Sequence, residues 1–148
     1  PIFDYLAAYA VMTIGVFAVV GAIKPTGPAI EDVTLFDGLG QRAPWSAVAL
    51  GIALLSLTGI PLTAGFWAKL QIFLTTLSAQ SGPVLIVAAI MAINATIAAV
   101  YYLSLFGRVF QRPSSGTPMA TDTVRLTWSA SLAAFVCSVL TVVWFFTP

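Results

Sequence analysis

Apolar residues run almost unbroken from Ile2 to Ile23, with Asp4 the one interruption, near the outer end. About 20 apolar residues cross the hydrocarbon core of a bilayer, so this run predicts one transmembrane helix over 2–23. Lys24, Pro25 and Gly27 carry the stop signals. A polar loop follows over 24–44. Within it VTLFDGLGQR places Val33, Leu35, Phe36 and Leu39 so that a short interfacial turn or helix and a plain loop fit equally well. A later run predicts a span over 83–109, with Pro83 suited to its first turn. QRPSSGTPMATD reads as a linker. A last span is expected over 124–146, where Trp144, Phe145 and Phe146 suit an interfacial anchor.

The remaining run, 45–80, fits this scheme badly. It is long for one straight span and short for two. TGIPLTAGFWAKL (58–70) lies inside it, with Gly59, Pro61 and Gly65 as helix breakers. Split there, each piece has about 15 residues and is roughly 22 Å long. Neither crosses a core ~30 Å thick. Two half-helices meeting at a non-helical linker fit the lengths; a tight hairpin of two short spans is the alternative. Charge favours the broken span. With four crossings, the loops 24–44 and 108–125 share a side and hold Lys24, Arg42, Arg108, Arg112 and Arg125, every basic residue but Lys69. The other side, around Gln80–Pro83, has none. The positive-inside rule then makes the loops 24–44 and 110–123 cytoplasmic and the C-terminus periplasmic. The expected architecture is an all-α membrane protein, a bundle of four transmembrane helices with the second discontinuous near Gly59–Gly65.

Composition narrows the function. Of 148 residues, 59% are hydrophobic and 7% charged, where a soluble domain carries about 25% charged residues. The lipid bilayer is therefore the expected partner of the surface. A net charge of +1 gives nucleic-acid binding no support. With no His and one cysteine, Cys137, neither a disulfide nor a Cys/His metal site is expected. Cys137 reads as a packing or lipid-facing residue. There is no Walker A sequence, no GxGxxG and no Ser/His/Asp set. Without a basic n-region or a small-residue cleavage site, the start does not read as a signal peptide. The chain reads as one polytopic domain over 1–148, an internal or C-terminal part of a longer membrane protein.

Lys69 is the one charged residue well inside a span. A lysine at a helix centre costs roughly 2.5–3.5 kcal/mol on insertion scales. Three readings stand beside one another: a proton or ion site, a side chain snorkelling to the interface, and an ion pair with an acid on another helix. The break suits the first. It frees backbone groups that survive at membrane depth only when packed in protein or facing water, and broken helices recur at ion sites in transporters. Burial disfavours an ammonium and a nearby carboxylate favours it, so a lysine between the two can gain and lose a proton. Thr58, Thr63, Asn94 and Tyr101 are candidates to line a water path, with Ser56 and Thr96 behind them. Bonding to the local backbone is the commoner fate of Ser and Thr in such helices. Gly15 and Gly21 suit helix contacts, and Asp4 suits an interface.

LLSLTGIPLTAGFWAKLQIF (54–73) resembles a signature of the antiporter-like membrane subunits of respiratory complex I, the NADH:quinone oxidoreductase. YLAAYAVMTIGVFAVV (5–20), DGLGQRAPW (37–45) and AAVYYL (98–103) resemble neighbouring parts of that family in the same order. The likeness covers about 5–112. It implies the last four helices of a fourteen-helix subunit, with 45–80 as the discontinuous helix of the second inverted repeat. It implies that Lys69 carries protons toward the periplasmic exit, while a glutamate and two lysines lie on helices upstream of Pro1. It implies no cofactor in this chain, with NADH, flavin, iron–sulfur clusters and quinone in other subunits. The implied partners are those missing helices and the other membrane subunits of the complex, in the bacterial inner membrane. Two departures stand out. VYYLS places Ser104 where the family often has arginine, and 5–20 lacks an ionisable residue found in the two larger sister subunits. The second separates the chain from those sisters and from related sodium/proton antiporter subunits. The rival functions are a subunit of a multisubunit cation/proton antiporter and a passive structural bundle.

Overall fold

The computed structural model describes residues 2–23, 33–61, 63–78, 82–112 and 128–146. Among them it is all-helical. Helix α1 spans Ile2–Ala22, α2 Leu39–Arg42, α3 Pro44–Thr58, α4 Ala64–Ser78, α5 Gly82–Phe110 and α6 Trp128–Phe146. A 3-10 turn covers Val33–Phe36. The described residues therefore hold six α-helices rather than four. The expected second span is two separate helices, α3 and α4, and the loop sequence VTLFDGLGQR supplies the 3-10 turn and α2. By length and composition, α1 and α5 are able to cross a membrane. Lys24, Pro25, Gly27, Gln80 and Arg125, and the expected start of the last span at 124, lie outside the described residues.

Helix α3 is the core of the bundle. Ala47, Leu50, Leu54 and Ser56 are almost wholly buried along it. One cluster joins Leu50 and Leu54 to Val19 of α1, Leu39 of α2, Val109 of α5 and Ala134 of α6. A second joins Leu57 at the end of α3 and Ala64 at the start of α4 to Ala8 and Met12 of α1. Farther along α4, Ala68 and Gln71 share a small cavity with Asp4 and Ala8. The partners on α1 thus step from Val19 through Met12 to Asp4 as the chain advances along α3 and then α4, so α4 carries on in the direction of α3. Helix α5 returns antiparallel, with Phe106 and Phe110 close to Gly51 and Gly40.

The polar groups between helices are few and specific. Ser138 of α6 donates to the Ala49 carbonyl at 3.1 Å. The Ser46 and Ser131 hydroxyls stand 3.5 Å apart. Gly15 is buried, and a Cβ built on it would stand 3.0 Å from Cys137 Cβ. Gly21 is exposed, and among the described residues nothing lies within 4 Å of such a Cβ, so the expected helix contact is not made among them. At the loop end, Asp37 stands 3.6 Å from the Arg108 guanidinium, and Arg42 donates to the Asp37 carbonyl at 2.6 Å. This ties α2 to the end of α5.

Candidate functional site

The end of α3 explains the position of Lys69. An α-helix leaves its last four carbonyls without intrahelical partners. Here they are Leu55, Ser56, Leu57 and Thr58. Gly59 turns left-handed, with φ 88° and ψ 43°. Its N–H donates to the Ser56 carbonyl at 3.0 Å, and the Ile60 N–H donates to the Leu55 carbonyl at 3.2 Å. These two bonds close a Schellman turn and satisfy the first pair. The Leu57 and Thr58 carbonyls take the Lys69 ammonium, which donates to them at 2.5 and 3.2 Å. The positive charge therefore sits at the negative end of the α3 dipole.

The reach is a consequence of helix direction. Side chains on an α-helix tilt toward its N-terminus. Lys69 is in the second turn of α4, so its arm lies back over the break. The first turn is held close by Ser56, whose hydroxyl accepts the Gly65 N–H at 3.2 Å. A side chain on Gly65 would overlap the Ser56 carbonyl. Glycine is what lets the two helix ends approach this closely.

Lys69 faces a cavity of about 310 Å³ between α1, α4 and α5. Its polar lining includes Tyr5, Tyr9, Lys69, Asn94 and Tyr102, and its apolar lining includes Leu57 and Phe73. Tyr5 and Tyr9 stack with centroids 5.8 Å apart. Tyr9 and Tyr102 both line this cavity.

The structure brings together Lys69, Gly59, Gly65 and Asn94. Pro61 is exposed within the break. Thr58 and Thr63 turn to local backbone, donating to the Leu54 and Ile60 carbonyls at 2.8 and 2.7 Å. Thr96 likewise donates to the Ala92 carbonyl at 2.9 Å. Tyr101 is 64% exposed, and its neighbour Tyr102 is the residue that lines the cavity. Sequence reasoning passed over Tyr5, Tyr9 and Tyr102. The spacing of Tyr5 and Tyr9, four apart and so on one helix face, was the available signal. No group of three metal-ligating side chains occurs among the described residues.

The comparisons with known proteins agree with one another. Residues 2–98 match the sequence profile of the family described as NADH:quinone oxidoreductase/Mrp antiporter, TM. NADH-quinone oxidoreductase subunit N of Geobacillus sp. (strain WCH70) is 37% identical over 147 residues, which is 99% of this chain and 29% of that protein. Subunit N of Anoxybacillus flavithermus is 41% identical over 135 residues, 91% of this chain and 25% of that protein. Subunit N of Mycobacterium tuberculosis is 36% identical over 143 residues, 94% of this chain and 26% of that protein. A chain in the structure of respiratory complex I from Thermus thermophilus with bound aureothin superposes with TM-score 0.75 and 30% identity, over 98% of this chain and 31% of that one. The chain thus spans less than a third of the length of these relatives. With the profile covering most of its length and subunit N relatives along nearly all of it, the chain belongs to the NADH:quinone oxidoreductase/Mrp antiporter family of membrane proteins.

Proposed function

We propose that the chain is part of a proton-translocating membrane subunit of a bacterial NADH:quinone oxidoreductase, with Lys69 as its proton carrier. The observation that carries this reading is the ammonium of Lys69, held by the two carbonyls that the end of α3 leaves over and open to a tyrosine-lined cavity. Carbonyl oxygens favour the ammonium without fixing it as a carboxylate would. A proton gained from water in the cavity is stabilised by the helix end, and it leaves when a neighbouring charge changes. NADH, flavin, iron–sulfur clusters and quinone belong to other subunits in this reading. The protein couples to them by charge.

In the same reading α3 and α4 form one discontinuous crossing, and four crossings make up the chain. The stepwise run of α1 partners along both helices supports it, as does the length of each, 15 residues. The loops 24–44 and 110–123 are then cytoplasmic and the C-terminus periplasmic, on the strength of the basic residues they hold. The partners are lipid, the upstream helices of the same subunit and the other membrane subunits.

The test is Lys69→Met in the full-length subunit, assembled in its complex in inside-out membrane vesicles. NADH-driven proton uptake and NADH oxidation are recorded side by side. The expected result is an intact complex in which both fall sharply. Wild-type uptake would refute the assignment and leave Lys69 a structural cation.

A further inference from the structure

The cavity before Lys69 is apolar except for a small set of side chains, and three of these are phenols. Tyr102 stands at the level of Leu57, with which Tyr9 and Lys69 share the lining. Tyr9 lines the cavity with Tyr102 and stacks on Tyr5, with ring centroids 5.8 Å apart. Tyr5 lies one turn nearer the beginning of α1. Tyr102, Tyr9 and Tyr5 therefore line one cavity, with their places along the helices in order from the break toward the end of the bundle where α1 starts. Tyr101, adjacent in sequence, faces away.

A hydroxyl both donates and accepts, so a row of hydroxyls with water between them can pass a proton without carrying net charge. Phenylalanine would fill the same apolar volume and pack the same way. Tyr9 and Tyr102, which lie deeper in the spans than Tyr5 beside the interfacial Asp4, bring polar groups that need partners there. Packing alone does not require them.

We propose that Tyr102, Tyr9 and Tyr5 form the proton relay between Lys69 and the end of the bundle at which α1 begins. The inference rests on Lys69 being the proton carrier. In each transfer the ammonium gives its proton to the nearest water or phenol oxygen. Each hydroxyl along the row takes one proton and hands on another, and the row resets by rotation. No oxidant or second reactant is needed.

The experiment uses the full-length subunit in its assembled complex, in inside-out vesicles. The rate of NADH-driven proton uptake per assembled complex is measured for Tyr102→Phe, Tyr9→Phe and the control Tyr101→Phe, beside Lys69→Met. Oxidation of NADH by a soluble artificial acceptor reports that the redox arm is intact. We expect Tyr102→Phe and Tyr9→Phe to lower uptake by about 100-fold, the lower end of the range for loss of a positioned proton-transfer group. Tyr101→Phe should stay at wild type. A fluorinated tyrosine at 102 keeps the ring and the hydroxyl but makes the phenol a stronger donor and a weaker acceptor, so it should change the rate of uptake at fixed pH. A phenol that merely packs would leave that rate in place, and this readout stands even if a phenylalanine variant fails to assemble. Wild-type uptake in Tyr102→Phe and Tyr9→Phe with loss in Lys69→Met overturns the relay and leaves the lysine assignment standing. Equal loss in Tyr101→Phe also overturns it. Wild-type uptake in Lys69→Met removes both.

Discussion

The Gly65 amide donates to the Ser56 hydroxyl at 3.2 Å and so ties the first turn of α4 to the last turn of α3. The described backbone between them, 59–61 and 63, is not helical, yet the ends are so close that a Cβ on Gly65 would overlap the Ser56 carbonyl. The position of Lys69 depends on this contact, because its arm spans from α4 to the carbonyls of α3.

Gly65→Ala is expected to be more damaging than Ser56→Ala. The new methyl would meet backbone, which cannot swing aside as a side chain can. Overpacking of this kind costs about 1–3 kcal/mol or more. Ser56→Ala removes one partner from a first-turn N–H, at a cost of about 1 kcal/mol. Thermal unfolding of the purified complex in detergent should rank wild type above Ser56→Ala, and Ser56→Ala above Gly65→Ala. The reverse order would mean that the helix ends are free to part.

Gly59→Ala tests the turn itself. The left-handed conformation costs a residue with a Cβ about 1–2 kcal/mol. The added carbon would also stand 3.3 Å from Lys69 Cδ and press on the arm. Proton uptake should fall further than assembly does. Loss of assembly with normal uptake per complex would separate the turn from the lysine.

Lys69→Arg separates charge from proton transfer. A guanidinium keeps the positive charge and its bonds to carbonyls but does not release its proton. It should support assembly while leaving uptake as low as Lys69→Met does. If Lys69→Arg pumps like wild type, the charge is needed and its proton is not.

Asp37→Asn should matter little. The Asp37–Arg108 pair is partly exposed on both sides, at 37% and 44%. Such pairs contribute at most about 1 kcal/mol and are screened by salt. The Arg42 bond to the Asp37 carbonyl survives the change. Melting of the variant complex should approach that of wild type as salt rises. A large, salt-independent loss would show that the pair is shielded within the full assembly.

Residue chemistry alone determined the helical class, because so apolar a chain can satisfy its backbone in lipid only within itself. It also marked Gly59–Gly65 as the place where α3 and α4 separate, since glycine and proline write their backbone preferences locally. Lys69 stood out for the same reason: a charge among apolar residues is visible wherever the fold puts it. What faced Lys69 was not visible. Its partners Leu57 and Thr58 are ordinary residues that act through backbone carbonyls, and any residue has one. The choice of Tyr102 over Tyr101 depends on a rotation of about 100° between successive helical positions. In a chain apolar on every side there is no wet face from which to read that rotation. Tyr5 and Tyr9 share a cavity with Tyr102 across more than ninety residues of sequence, a juxtaposition that only the packing of α1 and of α5 against α3 and α4 decides.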